Sequence, residues 1–447
     1  MRLYYKRQCL EMLDTIQEAN DEIISAIENG RIQEAIGLLE ETQQAVIGVG
    51  NSIESAQGEG TDAVHALENY CECAYQCHEA LCNAKAVNTG EMSGLLHQWI
   101  QKAGIELRDV IPTEREVVFL PYKASMWDSL ESEWRRLVKE ENCMAYVIPI
   151  PYFDKNPDGS LGEMHYEIKD FPKDVPAIRY EIYDFENRHP DAIYIHNPYD
   201  DINIVTTVPP FFYSSNLKEM TEELVYIPYF VLRDIDPKDT KAVENVRHFV
   251  MVPAVKNADR VIVQSENLKQ IYVNTMTAIE GEARRAYWEN KIEGTGSPKF
   301  DRVENLREED FEIPDEWKAL MIKPDGTRKK ALLYNTGVTA FINLEEKMMQ
   351  KIHDTLDLMK QYQDEFVLWW RPHPLMEATI RNMEPQLWEE YSRTVEEYKA
   401  AGWGIYDDTP NLDRAIACTD GYYGDTSSLV QLYEKTKKPI MIQRCLE

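Results

Sequence analysis

The sequence lacks an apolar run long enough to cross a membrane. Its longest uninterrupted apolar stretches, such as Phe366 to Trp370, are far shorter than the roughly 20 residues that a spanning helix needs. The first residues, MRLYYKRQCLEML, contain neither the apolar segment nor the small-residue cleavage site of a secretory signal. We therefore expect a cytoplasmic protein, in which any contact with the inner membrane face is peripheral.

Basic residues are also few, because 48 Lys and Arg stand against 78 Asp and Glu, for a net charge of −30. Such a field repels nucleic acid and anionic lipid, and no local basic cluster offsets it, so we expect no nucleic-acid partner. With only 20 Gly and 22 Pro in 447 residues, the chain is neither fibrous nor of low complexity. Its length predicts about two or three domains.

Eight cysteines are too few for a disulfide scaffold in a chain of this length. Four of them, Cys71, Cys73, Cys77 and Cys82, lie close together with His78, which raises the question of a metal site. Their spacing lacks the paired C-x2-C of structural zinc sites. Apolar residues in this segment instead recur every three or four positions, as on one helical face: Leu67, Tyr70, Cys71, Ala74, Cys77 and Leu81. We favour buried free cysteines over a metal site.

The helical pattern is confined to residues 1–105, which we interpret as a helical hairpin or bundle. The first apolar stripe ends at Asn29-Gly30, a typical helix C-terminus, and Gly48 to Asp62 is predicted to be a loop. Residues 1–110 contain seven basic and 18 acidic side chains, which disfavours an electrostatic membrane anchor. Packing or oligomerisation through these helices is the favoured role.

From about Val110 onwards, short β-branched or aromatic runs alternate with amphipathic helices. This alternation predicts an α/β protein with parallel sheets covered on both faces. We expect two Rossmann-like domains, an N-terminal one over residues 106–280 and a C-terminal one over residues 281–447. No dinucleotide fingerprint is present, since Gly48-x-Gly50 is followed by Ile53 where a third glycine is required.

The stretch GYYGDTSSLVQLYEK is typical of a strand, a polar turn and a helix. The turn Asp425-Thr426-Ser427-Ser428 follows the strand end at Gly424. Free backbone N–H groups, two hydroxyls and the positive end of a helix together suit an anion such as phosphate. A structural alternative is equally open, because Ser428 followed by Gln431 would form a capping box.

A second motif is FVLWWRPHPLM, in which an apolar strand runs directly into Arg371-Pro372-His373-Pro374. Ligands of parallel sheets bind outside the carboxyl ends of the strands, where a guanidinium and an imidazole suit a phosphate. Two further segments, ALLYNTG and KIEGTGSPKFDRV, supply a strand end at Thr336 and a turn at Gly296 to Asp301. Taken alone, each of these motifs is as typical of a surface residue or an ordinary turn.

In their order, these motifs resemble the CDP-glycerol glycerophosphotransferase family of teichoic acid synthesis, of which the chain would be a divergent member. That family has successive G-x-P-R-x-D, A-P-T, R-P-H-P and D-Y-S-S motifs, and here GSPKFD, YNT, RPHP and DTSS take their places within residues 110–442. The resemblance implies the two-domain GT-B fold. It also implies transfer of a polyol phosphate from CDP-glycerol to a lipid-linked acceptor or a cell-wall or capsule polymer, with release of CMP.

The same resemblance implies roles for individual residues. Arg371 and His373 would face the nucleotide diphosphate, and Asp425 would fix the adjoining turn. Donors to the phosphate oxygens would be the hydroxyls of Thr336, Ser427 and Ser428. Positioned donors of this kind stabilise phosphate charge without a metal, so we expect neither a metal nor another cofactor besides the substrate.

One family feature is missing from this sequence. The family has a W-H-G-T-P turn whose histidine is the expected general base, whereas the matching stretch here is Ile227-Pro228-Tyr229-Phe230. Nearby, IYIHNPYDD offers His196, Asp200 and Asp201 as alternative bases, although a structural role is favoured for His196. The arginine of G-x-P-R-x-D is replaced by Lys299.

Two other functions therefore stay open. The chain could be a degenerate nucleotide-diphosphate-binding scaffold or regulator, which the missing histidine favours. It could also be a GT-B glycosyltransferase that uses a nucleotide sugar, since such clefts hold either kind of donor. Each hypothesis predicts a nucleotide-activated small molecule as the partner.

Overall fold

A computed structural model describes residues 1–443 except residues 157, 345, 375 and 410. The chain forms two compact units. The first unit consists of Met1–Ala124, Trp134–Tyr226 and Pro253–Asp259, and the second of Ser125–Glu133, Ile227–Val252 and Arg260–Glu447.

Four long helices open the first unit: α1 (Leu3–Glu28), α2 (Ile32–Gln57), α3 (Asp62–Cys82) and α4 (Thr89–Ile105). Their apolar residues recur at helical spacing and pack into one core, to which α1 contributes Leu13, Ile16 and Ile23. Helix α1 ends at Glu28 with Asn29 as its C-cap, and Gly30 follows with a φ of 71°, which confirms the predicted C-terminus.

The loop predicted from Gly48 to Asp62 is largely wrong, because α2 continues to Gln57. Val46, Val49 and Ile53 extend its buried face across the two glycines, so core packing outweighs their low helix propensity. Only residues 58–61 form the connection.

Helix α3 confirms the helical interpretation of the cysteine segment. It buries Leu67, Tyr70, Ala74, Cys77 and Leu81, whereas Cys71 is half-buried and Cys82 is exposed. Among the residues that the structure describes, no cluster of His, Cys, Asp and Glu is arranged to hold a metal ion.

A parallel sheet follows the helices in the first unit. Its order is β2-β1-β5-β7, formed by β1 (Arg115–Leu120), β2 (Cys143–Val147), β5 (Ala192–Ile195) and β7 (Leu224–Tyr226). A small antiparallel sheet of order β4-β3-β6 is inserted after β2, formed by β3 (Tyr152–Lys155), β4 (Leu161–His165) and β6 (Thr206–Thr207). Pro149 and Pro151 separate β2 from β3, because neither proline can donate to a ladder.

The second unit contains the parallel pair β8 (Arg260–Ile262) and β9 (Ile292–Glu293). It also contains a five-stranded parallel sheet of order β12-β11-β10-β13-β14: β10 (Lys330–Thr336), β11 (Phe366–Pro372), β12 (Ile405–Tyr406), β13 (Gly421–Gly424) and β14 (Ile440–Ile442). Both faces of this sheet are covered, since Trp369 packs into one core and Trp370 into another.

The remaining helices connect or cover these strands: α5 (Glu131–Leu137), α6 (Phe185–Arg188), α7 (Ser214–Leu217), α8 (Thr240–Val250), α9 (Pro253–Asn257), α10 (Glu266–Glu280), α11 (Arg285–Lys291), α12 (Pro298–Glu304), α13 (Asp315–Leu320), α14 (Val338–Leu344), α15 (Glu346–Gln361), α16 (Met376–Met383), α17 (Trp388–Ala401), α18 (Leu412–Cys418) and α19 (Ser428–Glu434). In the described part of the chain, no helix is both long enough and apolar enough to span a bilayer. The predicted fold class is confirmed: two Rossmann-like parallel sheets, the composition of the GT-B class, follow an all-helical region.

Candidate functional site

The sheet of the second unit has a topological switch point at its first strand. From β10 the chain adds β11 and then β12 on one side, and later β13 and β14 on the other. Loops that leave adjacent strands in opposite directions open a crevice at the carboxyl edge, and ligands of open α/β sheets bind there. The predicted phosphate-binding turns follow β10, β11 and β13, so all three meet at this edge.

Asn335, the penultimate residue of β10, connects these turns. Its side-chain N–H donates to the carbonyl of Arg371 at 2.9 Å, and its side-chain oxygen accepts the Ser427 hydroxyl at 3.1 Å. Its backbone carbonyl accepts the N–H of Asp425 at 3.0 Å. One buried amide therefore holds the RPHP and DTSS segments in register.

The carboxylate of Asp425 joins the turns after β13 and β10. One oxygen accepts the backbone N–H of Gly337 at 2.7 Å, and the other is bonded to the ammonium of Lys351 on α15. The carboxylate and the lysine side chain are only 5% and 7% exposed. A buried ion pair of this kind orders the crevice wall before any ligand binds.

Helix α19 begins at Ser428, with Ser427 in the N-cap position. The capping-box alternative is wrong for this helix: Ser428 lies inside the first turn, and the Ser427 hydroxyl is directed to Asn335, with no side-chain cap bond among the described residues. The Ser428 side chain is exposed. Its hydroxyl and the first backbone N–H groups of the helix are suitable donors to an anion.

Arg371 lies at the edge but is engaged within the protein. Its guanidinium is buried, is 2.7 Å from the Asp407 carboxylate, and donates to the carbonyl of Thr409 at 2.7 Å. Asp407 is itself fully buried and accepts the indole N–H of Trp369 at 2.9 Å. In this structure the arginine braces the loop after β12 against β11.

Thr336 and His373 differ in what they offer a ligand. Thr336 is fully buried, and its hydroxyl accepts the indole N–H of Trp370 at 3.2 Å. His373 is exposed on the RPHP turn, which its own backbone N–H ties to the carbonyl of Thr336 at 2.9 Å. Partial desolvation lowers the pKa of His373, so its imidazole is neutral at pH 7.

Two of the three base candidates of the first unit, His196 and Asp200, are buried, whereas the third, Asp201, is exposed. His196 accepts the backbone N–H of Tyr122 through Nε2 at 3.0 Å. Asp200 accepts the backbone N–H of Ser214 at 2.9 Å and its hydroxyl at 2.6 Å, and burial raises the pKa of Asp200. These contacts give His196 and Asp200 a structural role in the loop after β5.

Lys299, which replaces the arginine of the G-x-P-R-x-D motif, is also paired. Its ammonium donates to both carboxylate oxygens of Asp128, at 2.7 and 2.6 Å. The lysine therefore fixes the start of α12 to the segment that carries Asp128.

Sequence reasoning missed three residues at the switch point: Asn335 as a connector, Lys351 and Asp407. Asp407 follows the short strand β12, so a carboxylate at a strand end was the available signal. Lys351 carried no signal, since it is one of several charged residues in the sequence of α15.

No protein-family profile matches the sequence, and no curated protein sequence matches it either. Solved structures that are similar include an S. aureus MnaA–UDP co-structure, at 11% identity over 74% of this chain and 79% of that one, with a TM-score of 0.41. They also include the wall teichoic acid polymerase TagF, at 14% identity over 84% of this chain and 78% of that one, with a TM-score of 0.38. A UDP-GlcNAc 2-epimerase from Neisseria meningitidis bound to UDP-GlcNAc has 11% identity over 74% and 82%, with a TM-score of 0.39. Likeness at this level decides neither substrate nor reaction.

Proposed function

We propose that this protein is a transferase that moves a polyol phosphate from a CDP-activated donor, CDP-glycerol, to a lipid-linked acceptor or cell-surface polymer. The nucleotide diphosphate binds at the carboxyl edge of β10, β11 and β13. A single observation carries the proposal: the turns that resemble those of glycerophosphotransferases are hydrogen-bonded to one another through Asn335 and Asp425 at the topological switch point.

The polar groups that face outward from this edge suit a diphosphate. His373 supplies a neutral imidazole donor, and Ser428 supplies a hydroxyl and a backbone N–H. Arg371, Thr336 and Ser427 act behind them, since these three residues are buried or half-buried and brace the turns. Donors that are fixed before the ligand arrives stabilise phosphate charge without reorganising during the reaction.

In the reaction, a hydroxyl oxygen of the acceptor forms a bond to the phosphorus of the glycerol phosphate. The bond between that phosphorus and the oxygen bridging to CMP breaks, and CMP leaves with the electron pair. The acceptor proton passes to a base. We also propose that the acceptor is lipid-linked or a cell-surface polymer and that the protein contacts the membrane peripherally. Helices α1–α4 would mediate oligomerisation.

Calorimetric titration of the full chain with CMP, CDP, CDP-glycerol, UDP and UDP-glucose tests the nucleotide site. We expect preferential binding of the cytidine nucleotides. The variant His373→Ala should weaken it about tenfold, the effect of losing one hydrogen bond of roughly 1.4 kcal/mol. His248→Ala, an exposed histidine on α8, is the matched control and should bind as the native chain does.

Failure to bind any of the five nucleotides would overturn the proposal. Preference for UDP-glucose over CDP-glycerol would instead support a glycosyltransferase that uses a nucleotide sugar.

The non-catalytic alternative, a nucleotide-binding scaffold or regulator, is favoured by one observation. Two of the three base candidates from the sequence, His196 and Asp200, are buried and engaged by backbone groups. CMP release from CDP-glycerol in the presence of a lipid-linked acceptor separates the two functions. Release by the native chain above the His373→Ala level supports the enzyme, and binding without release supports the scaffold.

A further inference from the structure

A cavity of about 400 Å³ lies within the second unit, at the amino edge of its five-stranded sheet. Its walls are the end of α12, the end of α18 and the segment 435–438, which leads from α19 into β14. Parallel strands all begin at the same edge, so this cavity is on the opposite side of the sheet from the turns that follow β10, β11 and β13. Its volume is in the range of small-molecule sites, and it is separate from the proposed nucleotide site.

The lining of this cavity is basic, although the chain has a net charge of −30. Three of the described lining residues are lysines, Lys435, Lys437 and Lys438, whereas Glu304 is the single acidic one. Three lysines are too few to attract a nucleic acid against the field of the whole chain. In a concave site, however, they create a local positive potential that a small anion meets at close range.

Lys435 holds its charge at a defined place in this cavity. Its ammonium lies 4.2 Å from the centroid of the Phe300 ring, and the side chain is half-buried. Within the part of the chain that the structure describes, neither Lys435 nor Lys437 forms an ion pair. A cation that rests on an aromatic face stays available to an anion on its other side.

Lys438 has a different part, because its ammonium is used within the protein. It donates to the carbonyls of Ile416 at 2.8 Å, Ala417 at 2.9 Å and Thr419 at 2.6 Å. The carbonyl end of a helix carries negative partial charge, which would repel an anion in the cavity. Lys438 cancels this charge at the end of α18, so it prepares the cavity for an anion without having to touch it.

The backbone at Lys437 is in the left-handed region, with a φ of 59°. Its N–H donates to the carbonyl of Glu434 at 3.2 Å, so it closes the end of α19. Glycine is the usual residue in such a conformation after a helix, since a side chain there costs stability. A lysine that is retained at this cost, with its side chain on the cavity wall, indicates that the ammonium serves a function.

We propose that this cavity binds a phosphate monoester of a small organic molecule. The two positive charges of Lys435 and Lys437 match those of a phosphate dianion, and lysine binds phosphate as a point charge. The apolar part of the lining, which includes Leu306 and Ile416, packs against the organic group. This site goes beyond the proposed transfer reaction and does not rest on it.

The test is calorimetric titration of the full chain with phenyl phosphate, compared with phenol and with inorganic phosphate. Phenol lacks the charge and inorganic phosphate lacks the apolar group, so phenyl phosphate should bind more tightly than either. Lys435→Gln should weaken binding of phenyl phosphate about tenfold or more, the effect of losing a charge-assisted contact.

Lys437→Gly distinguishes lost binding from lost folding. It should weaken binding of phenyl phosphate to a similar degree, while its Tm should equal or exceed that of the native chain, because glycine adopts the left-handed backbone without strain.

Two control variants should bind phenyl phosphate as the native chain does. Lys241→Gln removes an exposed lysine from α8, in the same unit but outside the cavity. His373→Ala alters the proposed nucleotide site, so it shows whether phenyl phosphate binds there instead.

The proposal is overturned if phenyl phosphate fails to bind at millimolar concentration, if both lysine variants retain native affinity, or if only His373→Ala loses it. Inorganic phosphate that binds as tightly as phenyl phosphate would also overturn it, since the apolar wall would then have no part in recognition. None of these measurements uses CDP-glycerol, so they stand or fall separately from the proposed function.

Discussion

The ammonium of Lys351 is buried against the carboxylate of Asp425, which also accepts the backbone N–H of Gly337 at 2.7 Å. This pair connects a helix, the turn after β10 and the turn after β13 at the proposed nucleotide site. Both side chains are almost fully buried, so removal of one partner has consequences for both stability and binding.

Asp425→Asn should lower the free energy of unfolding by about 3–5 kcal/mol, because it leaves the Lys351 ammonium buried without its anion. Urea unfolding followed by tryptophan fluorescence measures the change. Asp354→Asn, an exposed position on α15, is the matched control and should stay within about 0.5 kcal/mol of the native chain. An Asp425→Asn protein as stable as the control would contradict the assignment.

Gly424→Ala should disrupt the end of β13. Gly424 has a φ of 148°, and a Cβ there would lie 2.2 Å from the backbone oxygen of Asn335. Strain and clash should lower the free energy of unfolding by at least about 1–3 kcal/mol and weaken nucleotide binding. Gly37→Ala in α2, where a Cβ meets no atom within 4 Å, should instead stabilise the chain by up to about 1 kcal/mol. Thermal unfolding and calorimetry of both variants provide the comparison.

Affinity for CDP-glycerol should rise as the pH falls below 6.5. The pKa of His373 is lowered in the free protein, and a bound diphosphate favours the imidazolium, so protonation and binding assist each other. Between the pKa of His373 in the complex and its lower pKa in the free protein, each pH unit of acidification should improve Kd by up to about tenfold, and the gain ends once the free protein is protonated as well. CDP-glycerol is the right ligand because its diphosphate diester does not itself titrate near pH 6. His373→Gln should give a flat profile between pH 5 and 8, and a persistent slope would assign the effect to another group.

Stability should fall steeply above pH 9. Burial raises the pKa of Cys77 and of Cys418 to about 11, from 9.0 for an exposed thiol. Below pH 9 both states hold the protons and the full stability is present; between pH 9 and 11 only the unfolded state ionises. The free energy of unfolding should then fall by about 1.4 kcal/mol per pH unit for each thiol. Cys77→Ala should reduce this slope, whereas Cys82→Ala, at an exposed position, should not.

The strands of the second unit were predictable because their sequences are dominated by β-branched and aromatic residues. ALLYNTG, EFVLWWRPHP, GYYGD and PIMIQR became β10, β11, β13 and β14. The meeting of three turns at one edge followed from parallel strands alone. These sequence signals are local, so the strands can be predicted without knowing which residues they contact in the folded protein.

The ion pairs and the insertion were not predictable in the same way. Lys351 and Asp425 are 74 positions apart in the sequence, and Arg371 and Asp407 are separated by the β11–β12 connection. No local sequence pattern therefore predicts either ion pair. The strand β4, LGEMH, is largely exposed and lacks the alternation of a half-buried strand. His196, by contrast, lies at a clear strand end, was chosen as a base candidate, and is buried.

The hydrogen bond between Asn335 and Ser427 joins residues 92 positions apart. Helices α1–α4 form from contacts between neighbours in the sequence, which close quickly, whereas β10 cannot complete its surroundings until β13 has been made. During synthesis the bundle can therefore fold early, and the nucleotide crevice is assembled last. Binding of the proposed cytidine nucleotide would then report when the final step of folding is complete. Only a chain in which Asn335 and Ser427 are already hydrogen-bonded can bind the nucleotide.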